Sequence, residues 1–346
     1  MFHLLDGLKP SYRRIVWTAL EHPDKLVKVA TLAGVCGGKY SPHSPDSLPA
    51  VVSEMVRSGI FVGQGSHGSP SIYKPLGIEP AASRYIEAKL HPNFRGMISK
   101  LIPLVEFKES ELDSMYSEPR YIPTPVPLSM TFNGLGLGVG IRTKTPNFSI
   151  KSMLEAYLSN DYKKLKSNSD LLIDSKKSEL KSIWEKGYGV VSYKFFLKRD
   201  KLEKRDGVLM YGDARFIQLN KLTNKLLCSK KNPKEEDLGW VDKGLVEMID
   251  LSSKKTGNKI FFGIKKGQRG SEKVTLDMVE EELNKCRYHS DKYNLAVTDG
   301  STTEVVPLKG WIDKTYKNFE SLVEKYKGKK VKELDIKVLV SKYSGD

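Results

Sequence analysis

Cysteine is scarce in this chain: three in 346 residues, at Cys36, Cys228 and Cys286. The number is odd and the spacing wide, which excludes a disulfide framework and a C-x-x-C metal site. No run of about 18 apolar residues occurs, so no membrane-spanning helix is expected. The opening residues MFHLLDGLKP lack the charged region and apolar stretch of a secretory signal, which points to an intracellular, cytoplasmic chain. Nucleotide loops are missing too. Gly37-Gly38-Lys39 is followed by Tyr40 and lacks the first glycine of G-x-x-x-x-G-K-[ST]. The glycines at 134, 136, 138 and 140 alternate strictly and do not fit G-x-G-x-x-G. Without H-E-x-x-H or a D-x-D pair, neither a zinc hydrolase site nor a local carboxylate cluster for Mg²⁺ is expected. An ATPase or an autonomous metal nuclease is therefore disfavoured.

Acidic residues are in deficit. Lysine and arginine number 57 against 42 aspartates and glutamates, a formal charge of +15. The excess is spread along the chain, as expected for an extended surface facing a polyanion, with nucleic acid foremost. Simple solubility is the plainer explanation of the same numbers. Apolar residues at 39% and charged residues at 29% allow a packed core, and the length suits two or three domains.

Local patterns give an α+β, multidomain reading. Ser11 to Leu20 carries Ile15, Val16, Ala19 and Leu20 on helical spacing after Pro10, a favourable first-turn residue. A second helix is expected over Leu26–Val35, and a third after Pro49 through Val51, Val52, Met55 and Val56 to Gly59. Joined by a turn at Gly37–Ser47, these resemble a helix-turn-helix whose third helix meets DNA, and they equally suit an ordinary helical core. Pro123, Pro125 and Pro127 mark an extended segment that runs into the turn-rich NGLGLGVG at 133–140. Ser149–Leu158 reads as a helix. Alternation at Val191, Tyr193, Phe195 and Leu197 predicts a strand, and Ile260, Phe262 and Ile264 predict another. From Pro307, the residues Leu308, Ile312, Thr315, Phe319, Leu322 and Tyr326 fall at steps of four and three, a packing seam of fewer than three heptads.

Four segments in one order carry a resemblance: DGLKPSYRR at 6–14, GGKYSPHSPDS at 37–47, GQGSHGS at 63–69 and AASRYIEAKL at 81–90. Together they resemble the DNA breakage-reunion subunit of type IIA topoisomerases, the group of gyrase A and topoisomerase IV subunits. AASRYI resembles in particular the medium subunits of T-even-type bacteriophages. The resemblance implies a winged-helix DNA-cleavage domain over 1–150, an α+β tower domain over 151–306, and the start of a coiled coil with a tail over 307–346. It implies a type II, ATP-dependent isomerase that cuts and rejoins double-stranded DNA through a 5′-phosphotyrosine link. It further implies two copies per complex and a large partner subunit that binds ATP and holds Mg²⁺ on a TOPRIM domain, with no metal held by this chain.

By the same resemblance Tyr85 is the nucleophile and Arg84 stabilises charge in the transition state. Arg13, Arg14, Lys9, Lys39 and His43 would contact DNA phosphates, and Gln64 and Ser83 would hold the loop or touch DNA. Gly63, Gly65 and Gly68 would permit tight backbone turns there. Three departures stand out. The family's additional helix and catalytic arginine ahead of DGLKP are not in this sequence, which begins five residues before that motif. The first histidine of the family's K-Y-H-P-H-G element is Ser41 here. Alignment through GLGVGIRTKTPN puts Thr145 where the family has an isoleucine that wedges between base pairs, with Phe148 as the nearby substitute. The rival readings are a winged-helix module that binds DNA without cutting it and a subunit that only scaffolds a topoisomerase-like complex.

Overall fold

The computed structural model describes residues 1–41, 45–68, 80–132, 134–138, 140–168, 171–203, 205–212, 226–228, 234–251, 259–265, 270, 273–286 and 288–328. The expectations for His43 and for the tail after 328 lie outside them. Among the described residues the fold is mixed α/β, with eight α-helices and five small sheets.

The first unit begins with β1 (Phe2–His3) and α1 (Pro10–Glu21). Pro10 occupies the first turn of α1, where its missing N–H costs nothing, and Ile15, Val16 and Ala19 face the core. A two-residue strand β2 (Val27–Lys28) leads directly into α2 (Val29–Lys39). That helix runs four residues past the expected end, through Gly37 and Gly38. Cys36 and buried Tyr40, one turn apart, anchor its far end in the core, and the Tyr40 N–H closes on the Cys36 carbonyl. α3 (Leu48–Ser58) stops at left-handed Gly59, as its sequence predicts. β3 (Phe61–Gln64) and β4 (Glu87–Leu90) then complete a sheet of order β2-β4-β3, with Phe61 opposite Leu90 and Gln64 opposite Glu87. α4 (Pro92–Leu101) and the hairpin β5 (Phe107–Glu109)–β6 (Ser117–Pro119) follow.

NGLGLGVG does not form a plain turn. It contributes strand β7 (Leu135–Gly138), which is antiparallel to β8 (Ile141–Lys144). The alternation of glycine is itself a strand period. A Cβ at Gly134 would lie 2.6 Å from the Phe2 ring, one at Gly136 2.5 Å from Thr143, and one at Gly138 3.0 Å from Met1. The bare face lets the N-terminal residues lie flat against β7.

Beyond it lie α5 (Ile150–Ser159), capped by the Ser149 hydroxyl, then β9 (Leu172–Ile173) and α6 (Lys177–Lys186). The expected strand over 191–197 is two strands, β10 (Tyr188–Lys194) and β11 (Phe196–Leu202). The chain changes sheet at Phe195, which is fully buried between them. β11, β12 (Arg205–Tyr211), β13 (Val246–Asp250) and β14 (Lys259–Ile264) form one antiparallel sheet of order β11-β12-β14-β13. After α7 (Leu276–Cys286), β15 (Tyr288–Asn294) joins β7, β8, β10 and β9 in a five-stranded sheet. β16 (Ala296–Thr298) pairs parallel with β1 and antiparallel with β17 (Thr303–Val305). These sheets tie segments near 2, 140 and 295 together, and the buried side chains form one continuous cluster across positions 150 and 306.

The last described helix, α8 (Leu308–Gly328), carries the expected packing seam. Leu308, Ile312, Thr315, Phe319 and Leu322 are buried within this chain, packed with α4, α5 and α6. Trp311 is also fully buried, and its indole N–H donates to the Leu4 carbonyl at 2.8 Å, joining α8 to the N-terminal residues. Trp311→Ala should lower unfolding free energy by about 3–5 kcal/mol in urea titrations, the cost of a cavity of this size. A loss below about 1 kcal/mol would show that α8 is not integral to the core.

Candidate active site

Just before β4, the described residues 80–86 make a tight turn at Ser83–Tyr85. The Tyr85 N–H donates to the Ala82 carbonyl at 2.8 Å. The turn stands on the start of α2: the Val29 N–H donates to the Ile86 carbonyl at 3.0 Å and the Ala30 N–H to the Ser83 carbonyl at 3.1 Å. Those two amides open a helix and have no partner within it, so the turn satisfies donors that burial would otherwise leave costly. Ile86 is buried beneath the turn, while Tyr85 projects outward with 66% of its surface exposed. Arg84 turns back over it, its guanidinium carbon 4.6 Å from the phenol ring centroid. The structure thus presents an exposed phenol with a cation at its side, on a backbone fixed from below.

Ser83 shares this turn, and exposed Gln64 lies opposite Glu87, two residues past Tyr85. Glu87 itself pairs with Lys28 at 2.7 Å. Behind the turn, a histidine that sequence reasoning did not single out is buried. His67 places Nε2 3.0 Å from the Glu87 carbonyl and Nδ1 3.4 Å from the Ser53 hydroxyl on α3. Its carbonyl accepts from Arg57 of α3 at 2.6 Å. The only sequence signal was its place in GQGSHGS.

The arginine pair is held inside the fold. Arg13 and Arg14 are buried, and their guanidinium groups are engaged by carboxylates of this chain. Arg13 donates to both carboxylate oxygens of fully buried Asp6, at 2.7 and 3.1 Å. Asp6 also accepts from the Leu8 and Ile122 amides, at 2.8 and 3.0 Å. Arg14 forks onto buried Glu118 at 2.8 and 3.0 Å and reaches Glu111 at 3.0 Å. Hydrogen bonding from Arg14, ahead of that from Lys108, holds the Glu111 carboxyl below its ordinary value. Adjacent arginines on a helix whose neighbours are apolar need such partners, because a buried cation is tolerated only when paired.

Lys39 and Lys9 are less enclosed but engaged. Lys39 sits 3.5 Å from Glu21 and 5.3 Å from the centre of the Tyr116 ring. Lys9 lies 5.1 Å over the Tyr12 ring, and burial pulls its ammonium below the ordinary lysine value.

The residue expected at the wedge position faces inward. Thr145 is fully buried, its hydroxyl donating to the Ser129 carbonyl at 2.8 Å and accepting from the Gly134 amide at 2.9 Å. Phe148 is equally buried. The apolar side chains this region exposes are Leu135 and Leu137 on β7, at 42% and 69%, facing Lys144 and Arg142 across the strand pair.

Among the described residues no three or more His, Cys, Asp or Glu side chains are grouped to hold a metal ion, and no helix is long and apolar enough to cross a membrane. Glu87, the nearest described carboxylate in sequence to Tyr85, is committed to Lys28, so the residues at the turn do not fit a Mg²⁺ site on their own.

An exposed tyrosine beside arginine, mounted on three helices and a three-stranded sheet, sets the class of chain to look for. The family described as the DNA gyrase/topoisomerase IV A subunit matches residues 2–342. The chain belongs to that family. It is 34% identical to the DNA gyrase A subunit of Borreliella burgdorferi over 129 residues, covering 34% of this chain and 15% of the relative. It is 26% identical to the DNA topoisomerase 4 A subunit of Haemophilus influenzae over 255 residues, covering 67% of this chain and 34% of the relative. The DNA topoisomerase 2 of Crithidia fasciculata is 32% identical over 131 residues, covering 35% and 10% respectively. The matches thus span about a third or less of each relative's length.

Asp6→Ala should cost about 3–5 kcal/mol in chemical unfolding, since it leaves the Arg13 charge buried and unpaired. A cost under about 1 kcal/mol would show that the Arg13 charge does not depend on Asp6.

Proposed function

We propose that this chain supplies the DNA-cleaving tyrosine of a type II topoisomerase, with Tyr85 as nucleophile. The observation that carries the reading is the exposed Tyr85 phenol beside the Arg84 guanidinium on a turn seated on α2. Family membership, the AASRYI match and a charge of +15 support it. So does the element order α1, β2, α2, α3, β3, β4, which is that of a winged helix, with α3 as the helix offered to DNA. AASRYI and the overall divergence of the chain favour the T-even-type phage group.

The chemistry is a transesterification. The Tyr85 oxygen attacks a backbone phosphorus, its proton passes to a base, and the P–O bond to the 3′ oxygen breaks. The departing 3′ oxygen takes up a proton, and the 5′ phosphate stays on tyrosine. The ester bond is exchanged rather than spent, so the reverse attack by the 3′ hydroxyl reseals the strand. An ordinary phenol ionises near pH 10, so attack near neutrality requires the proton to leave as the new bond forms. Negative charge builds on the phosphoryl oxygens in the transition state, where Arg84 is placed to offset it. Two copies acting on opposite strands would open a gate for a second duplex. Mg²⁺ and ATP would be supplied by the TOPRIM and ATPase domains of a partner protein.

The wedge role falls to Leu137, an exposed apolar side chain opposite exposed Arg142, suited to enter a base step.

Mixing the chain with the ATPase/TOPRIM partner, plasmid and Mg²⁺, then trapping with denaturant, should give DNA linked to this polypeptide. Tyr85→Phe should abolish the adduct while duplex binding persists. Adducts that survive Tyr85→Phe refute the nucleophile, and binding without adducts in the wild type favours the non-cutting DNA-binding module. Leu137→Ala should reduce DNA bending, read by end-to-end fluorescence transfer, and lower cleavage by about threefold to tenfold. Unchanged bending would remove Leu137 from this role.

A further inference from the structure

We infer that His67 is a positioning residue that couples α3 to the Tyr85 turn; this rests on the proposed cleavage function. His67 is buried, with 6% of its surface exposed, and it spans the two elements that must cooperate. On one side Nε2 lies 3.0 Å from the Glu87 carbonyl, two residues after the nucleophile. A ring nitrogen facing a carbonyl must carry the proton, so Nε2 is the donor. On the other side Nδ1 meets Ser53 of α3 at 3.4 Å, and the His67 carbonyl takes the Arg57 hydrogen bond from the same helix. One residue thus holds α3 through both its ring and its backbone, and holds the start of β4 through its other nitrogen.

The local sequence makes room for this clasp. A Cβ at Gly63 would stand 2.3 Å from His67 Nε2, so the ring occupies the space a side chain on β3 would fill. A Cβ at Gly65 would lie 2.8 Å from the Ile86 side chain, beneath the tyrosine turn. The Ser66 carbonyl accepts from the Ala81 N–H at 2.9 Å, closing the connection just before the turn. The ring therefore lies between the helix offered to DNA and the strand that follows the nucleophile. Its loss should let the turn shift relative to bound DNA without removing any DNA-contacting group, and a displacement near 1 Å at a reacting atom costs up to about a hundredfold in rate.

The test uses the chain reconstituted with its ATPase/TOPRIM partner, Mg²⁺ and a duplex at saturating concentration. Single-turnover adduct formation is measured beside duplex affinity and thermal melting. His67→Ala should slow adduct formation by about tenfold or more, with duplex affinity within about twofold of wild type. His67→Gln, whose amide N–H can donate to the Glu87 carbonyl, should recover most of the rate. Ser53→Ala, which removes only the Nδ1 partner, should cause a smaller loss and provides the test if His67→Ala fails to fold. Overturning results are a wild-type rate for His67→Ala or, in that case, for Ser53→Ala, and equal losses for the alanine and glutamine variants that track their melting temperatures. If the wild type forms no adduct, or Tyr85→Phe forms it, the cleavage reading itself fails and this inference falls with it.

Discussion

Two backbone hydrogen bonds, from the first amides of α2 to the carbonyls of Ser83 and Ile86, hold the candidate nucleophile in place. A helix start carries N–H groups with no partner of their own and a partial positive charge. Here the groups are satisfied by the turn. The rest of α2 is locked into the core through Leu32, Ala33 and Cys36. The Tyr85 backbone therefore inherits the rigidity of the core while its side chain stands in solvent. A nucleophile that must reach a phosphorus in a bound duplex gains from this arrangement, because little order remains to be imposed when the substrate arrives.

The same economy explains the buried charges. Asp6 accepts four hydrogen bonds, two from Arg13 and two from backbone amides at Leu8 and Ile122, so one carboxylate fixes the entry to α1 and the extended segment at 122. Arg14 acts in the same way toward the β5–β6 hairpin through Glu118. The DGLKP-x-x-RR segment serves the fold in this arrangement. Arg84 beside the tyrosine and Arg142 opposite Leu137 are exposed, and these cations are placed to face a polyanion.

The helices were legible in sequence because punctuation and period agreed: Pro10 opens α1, Gly59 closes α3, and the seam of α8 keeps its spacing. Tyr85 and Arg84 were legible only through the resemblance, since an isolated Arg-Tyr pair says nothing of exposure. What the sequence could not convey were relations set by tertiary packing. The glycines of β7 read as turns until Met1 and Phe2 lie against them. The 191–197 alternation carries no mark that the chain changes sheet at Phe195. Arg13 and Arg14 have the same letters whether they meet phosphate or Asp6 and Glu118, and those acids lie 7 residues in one direction and 104 in the other. His67 sat inside a recognised motif, but its partners on α3 and β4 are apparent only in three dimensions. The seam of α8 is a packing seam as its spacing predicts, and its partners within the chain, on α4, α5 and α6, are set by tertiary packing.

Mapping the covalent link decides the central claim most directly. DNA adducts trapped with denaturant from the reconstituted complex would be digested with nuclease and trypsin and analysed by mass spectrometry. A nucleotide-phosphate attached to the peptide Tyr85–Lys89, on the tyrosine oxygen, is the predicted result. A link on any other residue, or adducts carried solely by the partner protein, would contradict the account.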